Sequence, residues 1–125
     1  MRTPFVRRAA LVTALAVCGT VAAAYGSNIA HAAPAEGTVA AQIDTFQFKP
    51  HGIEVKVGAK IVWTNNDDVT HTVTSGTPEQ RSELFNSTLN GKGAKFEYTI
   101  TRAAATITYF CARHPHMRGE ITVRE

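Results

Sequence analysis

From about residue 53 onward, apolar residues recur at every second position in short runs: Ile53, Val55 and Val57; Ile61 and Trp63; Phe96, Tyr98 and Ile100; Ile107 and Tyr109; Ile121 and Val123. Side chains of an extended strand alternate between its two faces, so this period marks strands with one buried face. Turn-forming residues separate the runs: Pro50, Gly52, Gly58, Asn65-Asn66-Asp67-Asp68, Ser75-Gly76, Asn90-Gly91, Gly93 and Gly119. No stretch beyond residue 33 carries a long apolar stripe of helical period. The pattern predicts an all-β fold, an antiparallel Greek-key β-sandwich of seven to eight strands. Thr77 to Gly93 is the least regular segment and reads as a crossing loop with a short strand near Leu84-Phe85. So small a domain buries a modest core, and Trp63 and the other aromatics are expected to carry much of it.

The first 32 residues read differently. Arg2, Arg7 and Arg8 form a basic start, Ala9 to Ala24 is an apolar run without a charge, and Ala30-His31-Ala32 has the small-x-small form accepted at a cleavage site. This is the secretory signal pattern, so residues 1–32 are assigned to a cleavable leader and 33–125 to the working domain. A permanent anchor would need about 20 apolar residues, more than this run supplies. A lipoprotein reading through Cys18 meets β-branched Val17 where a small residue is expected. The pair Arg7-Arg8 also allows twin-arginine export, though its flanks fit that signal poorly. The expected location is therefore periplasmic or extracellular.

The leader also accounts for the charge. The whole chain has 13 Lys+Arg against 10 Asp+Glu, a formal +3 that suggests nucleic acid or an anionic membrane surface. From Ala33 onward the basic and acidic residues balance at ten each. Neither nucleic-acid binding nor stable membrane insertion of the mature chain is expected.

Removing the leader removes Cys18 and leaves Cys111 as the one cysteine, so the exported domain forms no internal disulfide. Its neighbours give it a purpose. Cys111-Ala-Arg-His114-Pro-His116-Met117 lies at the end of the penultimate predicted strand. The spacing Cys-x2-His-x2-Met lets a tight loop turn a thiolate, an imidazole and a thioether towards one point, with Pro115 stiffening it. A further imidazole must come from elsewhere, and His71, after the polar turn at 65–68, is the best placed. His71, Cys111, His114 and Met117 together have the composition of a type 1 copper site: three strong N/N/S donors and a weak axial thioether. Taken singly, each residue has a duller reading as packing or surface. Coincidence of four dull readings around the only mature cysteine is what the copper assignment rejects.

These segments resemble the cupredoxins, and within them the amicyanin-like and plastocyanin-like small blue copper proteins. Phe46-x-Phe48-x-Pro50, Ile53-x-Val55-x-Val57-Gly58 and Val62-Trp63-x-Asn65-x-Asp67 resemble that family's early strands. His71-Thr-Val73 resembles its first ligand segment, and Phe85-Asn-Ser the stretch before its penultimate strands. Tyr109-Phe-Cys111-x-x-His114-Pro-x-Met117-Arg-Gly119 resembles the short amicyanin form of its ligand loop. The resemblance implies a cupredoxin-type sandwich, one copper ion, and electron carriage between redox partners that dock near His114. It implies a monomer that turns over no substrate. Three departures stand out. Thr72 replaces an Asn that ties the two ligand loops together, Ala105 occupies a turn position that is often Gly, and Arg113 and His116 stand where the amicyanin loop has Pro and Phe. His116 reads as a surface imidazole beside the electron exit, and His51 as solvent-facing.

Other functions remain in competition on the residues alone. The same four ligands suit a copper-binding module for storage, delivery or sensing. A structural zinc site fits poorly, because such sites are closed Cys/His tetrahedra. Nucleophilic catalysis by Cys111 with His114 lacks a Gly-rich oxyanion loop.

Overall fold

The computed structural model describes residues 33–103 and 105–125; the leader expected over 1–32 lies outside them. Nine strands follow in chain order: β1 (Thr38–Ile43), β2 (Phe48–Lys49), β3 (Gly52–Lys56), β4 (Lys60–Asn65), β5 (His71–Gly76), β6 (Arg81–Leu89), β7 (Lys95–Thr99), β8 (Thr106–Phe110) and β9 (Arg118–Arg124). Four form one sheet in the order β2-β1-β4-β7, and five form the other in the order β3-β9-β8-β5-β6. The inner faces meet in one core drawn from both sheets, with Ile43, Ile61 and Trp63 from the first and Val55, Val73, Leu89, Tyr109, Ile121 and Val123 from the second. This is the expected all-β sandwich, with one strand more than predicted.

The differences have physical causes. Alternation says nothing of strand direction, and two ladders are parallel: β1 with β4 from Thr38↔Lys60 to Ile43↔Asn65, and β3 with β9 from Gly52↔Glu120 to Lys56↔Arg124. The segment expected as a crossing loop, Thr77 to Gly93, instead contains β6, nine residues long and paired antiparallel with β5. As an edge strand, β6 buries only Phe85 and Leu89, so most of its positions are free to be polar and the period is hidden. Val57 completes an apparent alternation but lies beyond β3 and is exposed.

Trp63 sits at the centre as expected. Its ring stacks on Phe96, with centroids 5.6 Å apart, and meets Tyr109 edge-on at 5.5 Å. Phe48 in turn meets Tyr109 edge-on at 4.7 Å. These offset and edge-to-face arrangements match the quadrupoles of the rings. The aromatic column links the sandwich core to the end where the Cys111 loop joins β8 to β9. Gly119 makes that join possible, because a Cβ there would fall on the Tyr109 ring. Among the described residues, no helix is long and apolar enough to cross a membrane.

Gly119→Ala should therefore destabilise the domain by about 1–3 kcal/mol through overpacking against Tyr109. At Gly52 an added Cβ would meet no atom within 4 Å, so Gly52→Ala should stay within about 0.5 kcal/mol of the parent. Urea unfolding of both variants tests this; equal effects would contradict it.

Candidate metal centre

The loop between β8 and β9 folds back on itself in two successive turns. His114 N donates to Cys111 O at 3.3 Å, Met117 N donates to His114 O at 2.9 Å, and Cys111 N donates to Met117 O at 3.1 Å. The i to i+3 spacing of Cys111, His114 and Met117 is thus the spacing of the turns themselves. Cys111 is fully buried and Met117 nearly so, whereas His114 is partly exposed.

His71 opens β5 on the same sheet and is also fully buried. Its Nδ1 and that of His114 each lie 3.7 Å from Cys111 Sγ. These three residues form a candidate metal-holding group, their donor atoms all within 4.8 Å of one another. The distances fit a shared ion. Ligands about 2.0 Å (nitrogen) and about 2.3 Å (sulfur) from one first-row metal stand about 3.5–3.7 Å apart at tetrahedral to trigonal angles.

Hydrogen bonds to the remaining atoms aim the donors. His71 Nε2 donates to Asp67 Oδ2 at 2.8 Å, which leaves the Nδ1 lone pair facing Cys111. Thr72 N donates to Cys111 Sγ at 3.3 Å. Thr72 Oγ1 accepts from Ala112 N at 2.7 Å, its hydroxyl meets Thr74 Oγ1 at 3.0 Å, and Thr74 Oγ1 donates to Asn86 Oδ1 at 3.0 Å. The chain of bonds Ala112–Thr72–Thr74–Asn86 joins the ligand loop to β5 and β6. Thr72 therefore ties the start of β5 to the Cys111 loop by itself, at the position where the resemblance implies an Asn.

Sequence reasoning does not single out Asp67 as functional, although its position four residues before His71 is a signal. Burial alone would raise its pKa. Hydrogen bonds from Phe46 N, Thr45 N and His71 outweigh that, and its carboxyl is held below the ordinary carboxylate range. The two amides, at 3.0 and 2.8 Å, belong to a turn in which both central residues have positive φ, Thr45 at 53° and Phe46 at 57°. Each such L-residue costs about 1–2 kcal/mol, and the carboxylate offsets part of that. Phe46, which the sequence gives no role at the site, places its ring edge-on to both His71 and His114, with centroids 5.3 and 4.9 Å away.

The profile of the copper-binding proteins of the plastocyanin/azurin family matches residues 35–124. Amicyanin of Paracoccus denitrificans is 28% identical over 97 residues, covering 78% of this chain and 73% of its own. A purple cupredoxin from Nitrosopumilus maritimus superposes with a TM-score of 0.60 at 28% identity, over 70% of this chain and 99% of that one. The copper-containing nitrite reductase of Thermus scotoductus does so with a TM-score of 0.62 at 28% identity, over 70% of this chain but 22% of that one.

The chain belongs to the plastocyanin/azurin family. It is an amicyanin-like cupredoxin, and its cofactor is copper. The donor set suits that metal: thiolate for Cu(I), and imidazole for either oxidation state. The other residues singled out in this cupredoxin sit as follows. Arg113 and His116 are exposed on the ligand loop, with the His116 ring centroid 6.3 Å from that of His114. His51 is exposed, as expected, and its Nδ1 is 2.9 Å from Arg118 O. Ala105 O accepts from Val123 N at 2.9 Å.

Burial lowers the pKa of His114, and the neighbouring His71, His116 and Arg113 lower it further, against the opposing pull of Asp67. In the metal-free protein, an unfolded His114 therefore binds its proton at higher pH than the folded one. Its contribution to stability falls as pH drops from about 6.5 through the lowered folded value. NMR titration of the metal-free chain should place His114 below the ordinary imidazole range, and His116→Ala should move it up. A downward move would contradict the charge coupling.

Proposed function

We propose that this protein is an exported electron carrier whose single copper would be held by His71, Cys111 and His114, with the Met117 thioether as a weaker fourth donor. The observation that carries the reading is the convergence of two imidazole nitrogens and one thiolate sulfur at one buried point. Met117 supports its own assignment by being buried at the end of the same turn, tied through the backbone to both Cys111 and His114. Residues 1–32 are the leader removed on export, and 33–125 the copper domain.

Copper supplies the one-electron Cu(II)/Cu(I) couple. The chain supplies a cage that need not rearrange between the two states. Asp67 fixes the His71 ring, the Thr72 amide donates to the Cys111 sulfur, and the Thr72 hydroxyl fixes the backbone of Ala112. Hydrogen bonds and burial around the thiolate tune the potential of such a site. His114 is the ligand that reaches the surface, so the redox donor and acceptor dock around it. Pro115 provides apolar surface there, and Arg113 and Arg118 steer an encounter electrostatically. The monomer turns over no substrate and is not an enzyme.

A copper store, carrier of copper or sensor built on the same ligands would bind the ion without fast redox cycling. Burial of His71 and Cys111 in a framework of hydrogen bonds favours the electron carrier, because delivery calls for ready release. The purified mature chain with Cu(II) should show an intense blue thiolate-to-copper band that disappears in Cys111→Ser. Stopped-flow oxidation and reduction should be fast. A nearly colourless copper protein would overturn the site, and slow exchange with every redox partner would overturn the carrier role.

A further inference from the structure

The segment between β1 and β2 is a hairpin turn of unfavourable composition. Ile43 pairs with Phe48, and Asp44 N donates to Gln47 O at 3.0 Å, leaving Thr45 and Phe46 as the two central residues. Positive φ at both positions is the geometry that favours Asn-Gly. A β-branched residue and a bulky aromatic are poor occupants. Local strain of this kind persists where the surroundings hold it in place. Here the holder is Asp67, whose two carboxylate oxygens accept from the consecutive amides of Thr45 and Phe46, while Oδ2 also accepts from His71. The result is an aromatic ring, 40% exposed, standing against both imidazoles of the site.

We propose that Phe46 is a shutter over the two histidines, a positioning residue that holds the partly exposed His114 ring and shields the copper, and that Asp67 is its latch. The inference rests on the copper reading above and goes beyond it. The turn sacrifices its own stability to put a ring where Asn-Gly would leave open solvent. His114 has two rings with centroids at 4.9 Å, the buried His71 and the Phe46 ring, and the exposed His116 ring further off at 6.3 Å, so Phe46 restricts its rotation on the side that His71 leaves open. One carboxylate sets both the buried ligand and the cover, so displacement of either is coupled to the other.

Two measurements test the shutter. In the metal-free full-length domain, the amides of Thr45 and Phe46 should be protected from hydrogen exchange although they lie in a surface turn. Asp67→Ala should speed their exchange by about tenfold or more. In the copper-loaded protein, release of Cu(II) to excess EDTA should be about tenfold faster in Phe46→Ala, while Phe46→Tyr should stay within about twofold of the parent. The double variant Thr45→Asn with Phe46→Gly separates cover from scaffold. It should raise the melting temperature by relieving the turn, yet release copper about as fast as Phe46→Ala. Release from Phe46→Ala and the double variant at the parent rate would overturn the proposal, as would unprotected amides in the parent. Absence of a blue band in the parent would instead strike the copper reading and leave the exchange result to judge the latch.

Discussion

The hydrogen bond from His71 Nε2 to the Asp67 carboxylate governs more of this site than any other single contact. It chooses which imidazole nitrogen is free, and so turns Nδ1 towards Cys111. The same carboxylate seats the turn at Thr45 and Phe46, which puts an aromatic ring against His71 and His114. Asn65, itself buried, supports it from below. Its Nδ2 donates to Val69 O at 2.8 Å and Leu89 O at 3.3 Å, and its Oδ1 accepts from Asp67 N at 3.0 Å. A polar turn between β4 and β5 thus becomes the rigid mount of His71. Cys111 and His114 are mounted independently by the two turns of their own loop.

The two mounts are joined by Thr72. Its amide reaches the Cys111 sulfur and its hydroxyl accepts from Ala112, so β5 and the Cys111 loop are bonded to each other beside the site. Behind them, Tyr109 and Trp63 carry the rigidity of the sandwich core up to the site. Gly119 is small because the Tyr109 ring occupies the place of its side chain. A site whose donors are set by the fold reorganises little on gaining or losing an electron, and that is the physical property an electron carrier needs.

Much of this is legible in the sequence, for identifiable reasons. Cys111, His114 and Met117 declare themselves because the spacing of three is the geometry of successive turns. His71 follows from its place after a polar turn at the start of a strand. The inward faces of β3, β4, β8 and β9 follow from strict alternation. What escapes has reasons of its own. Strand β6 hides because an edge strand needs few apolar residues, and β1 because Ala41 carries little apolar signal. For Asp67 the one local mark is its place four residues before His71; its hold on the turn at 45–46, and the place of Phe46, depend on contacts across the end of the sandwich that nothing local marks. Indeed, the local rules for a two-residue hairpin argue against Thr-Phe at that position.

The central claim is that one buried thiolate and two imidazoles hold the copper in a cage already shaped by the fold. X-ray absorption at the copper edge, on the oxidised and reduced protein at mildly alkaline pH, tests it most directly. The account predicts one short sulfur and two nitrogen neighbours in both states, with the Met117 thioether at longer range and the short bonds changing by less than about 0.2 Å. A shell of nitrogen and oxygen alone, or loss of a ligand on reduction, would contradict it.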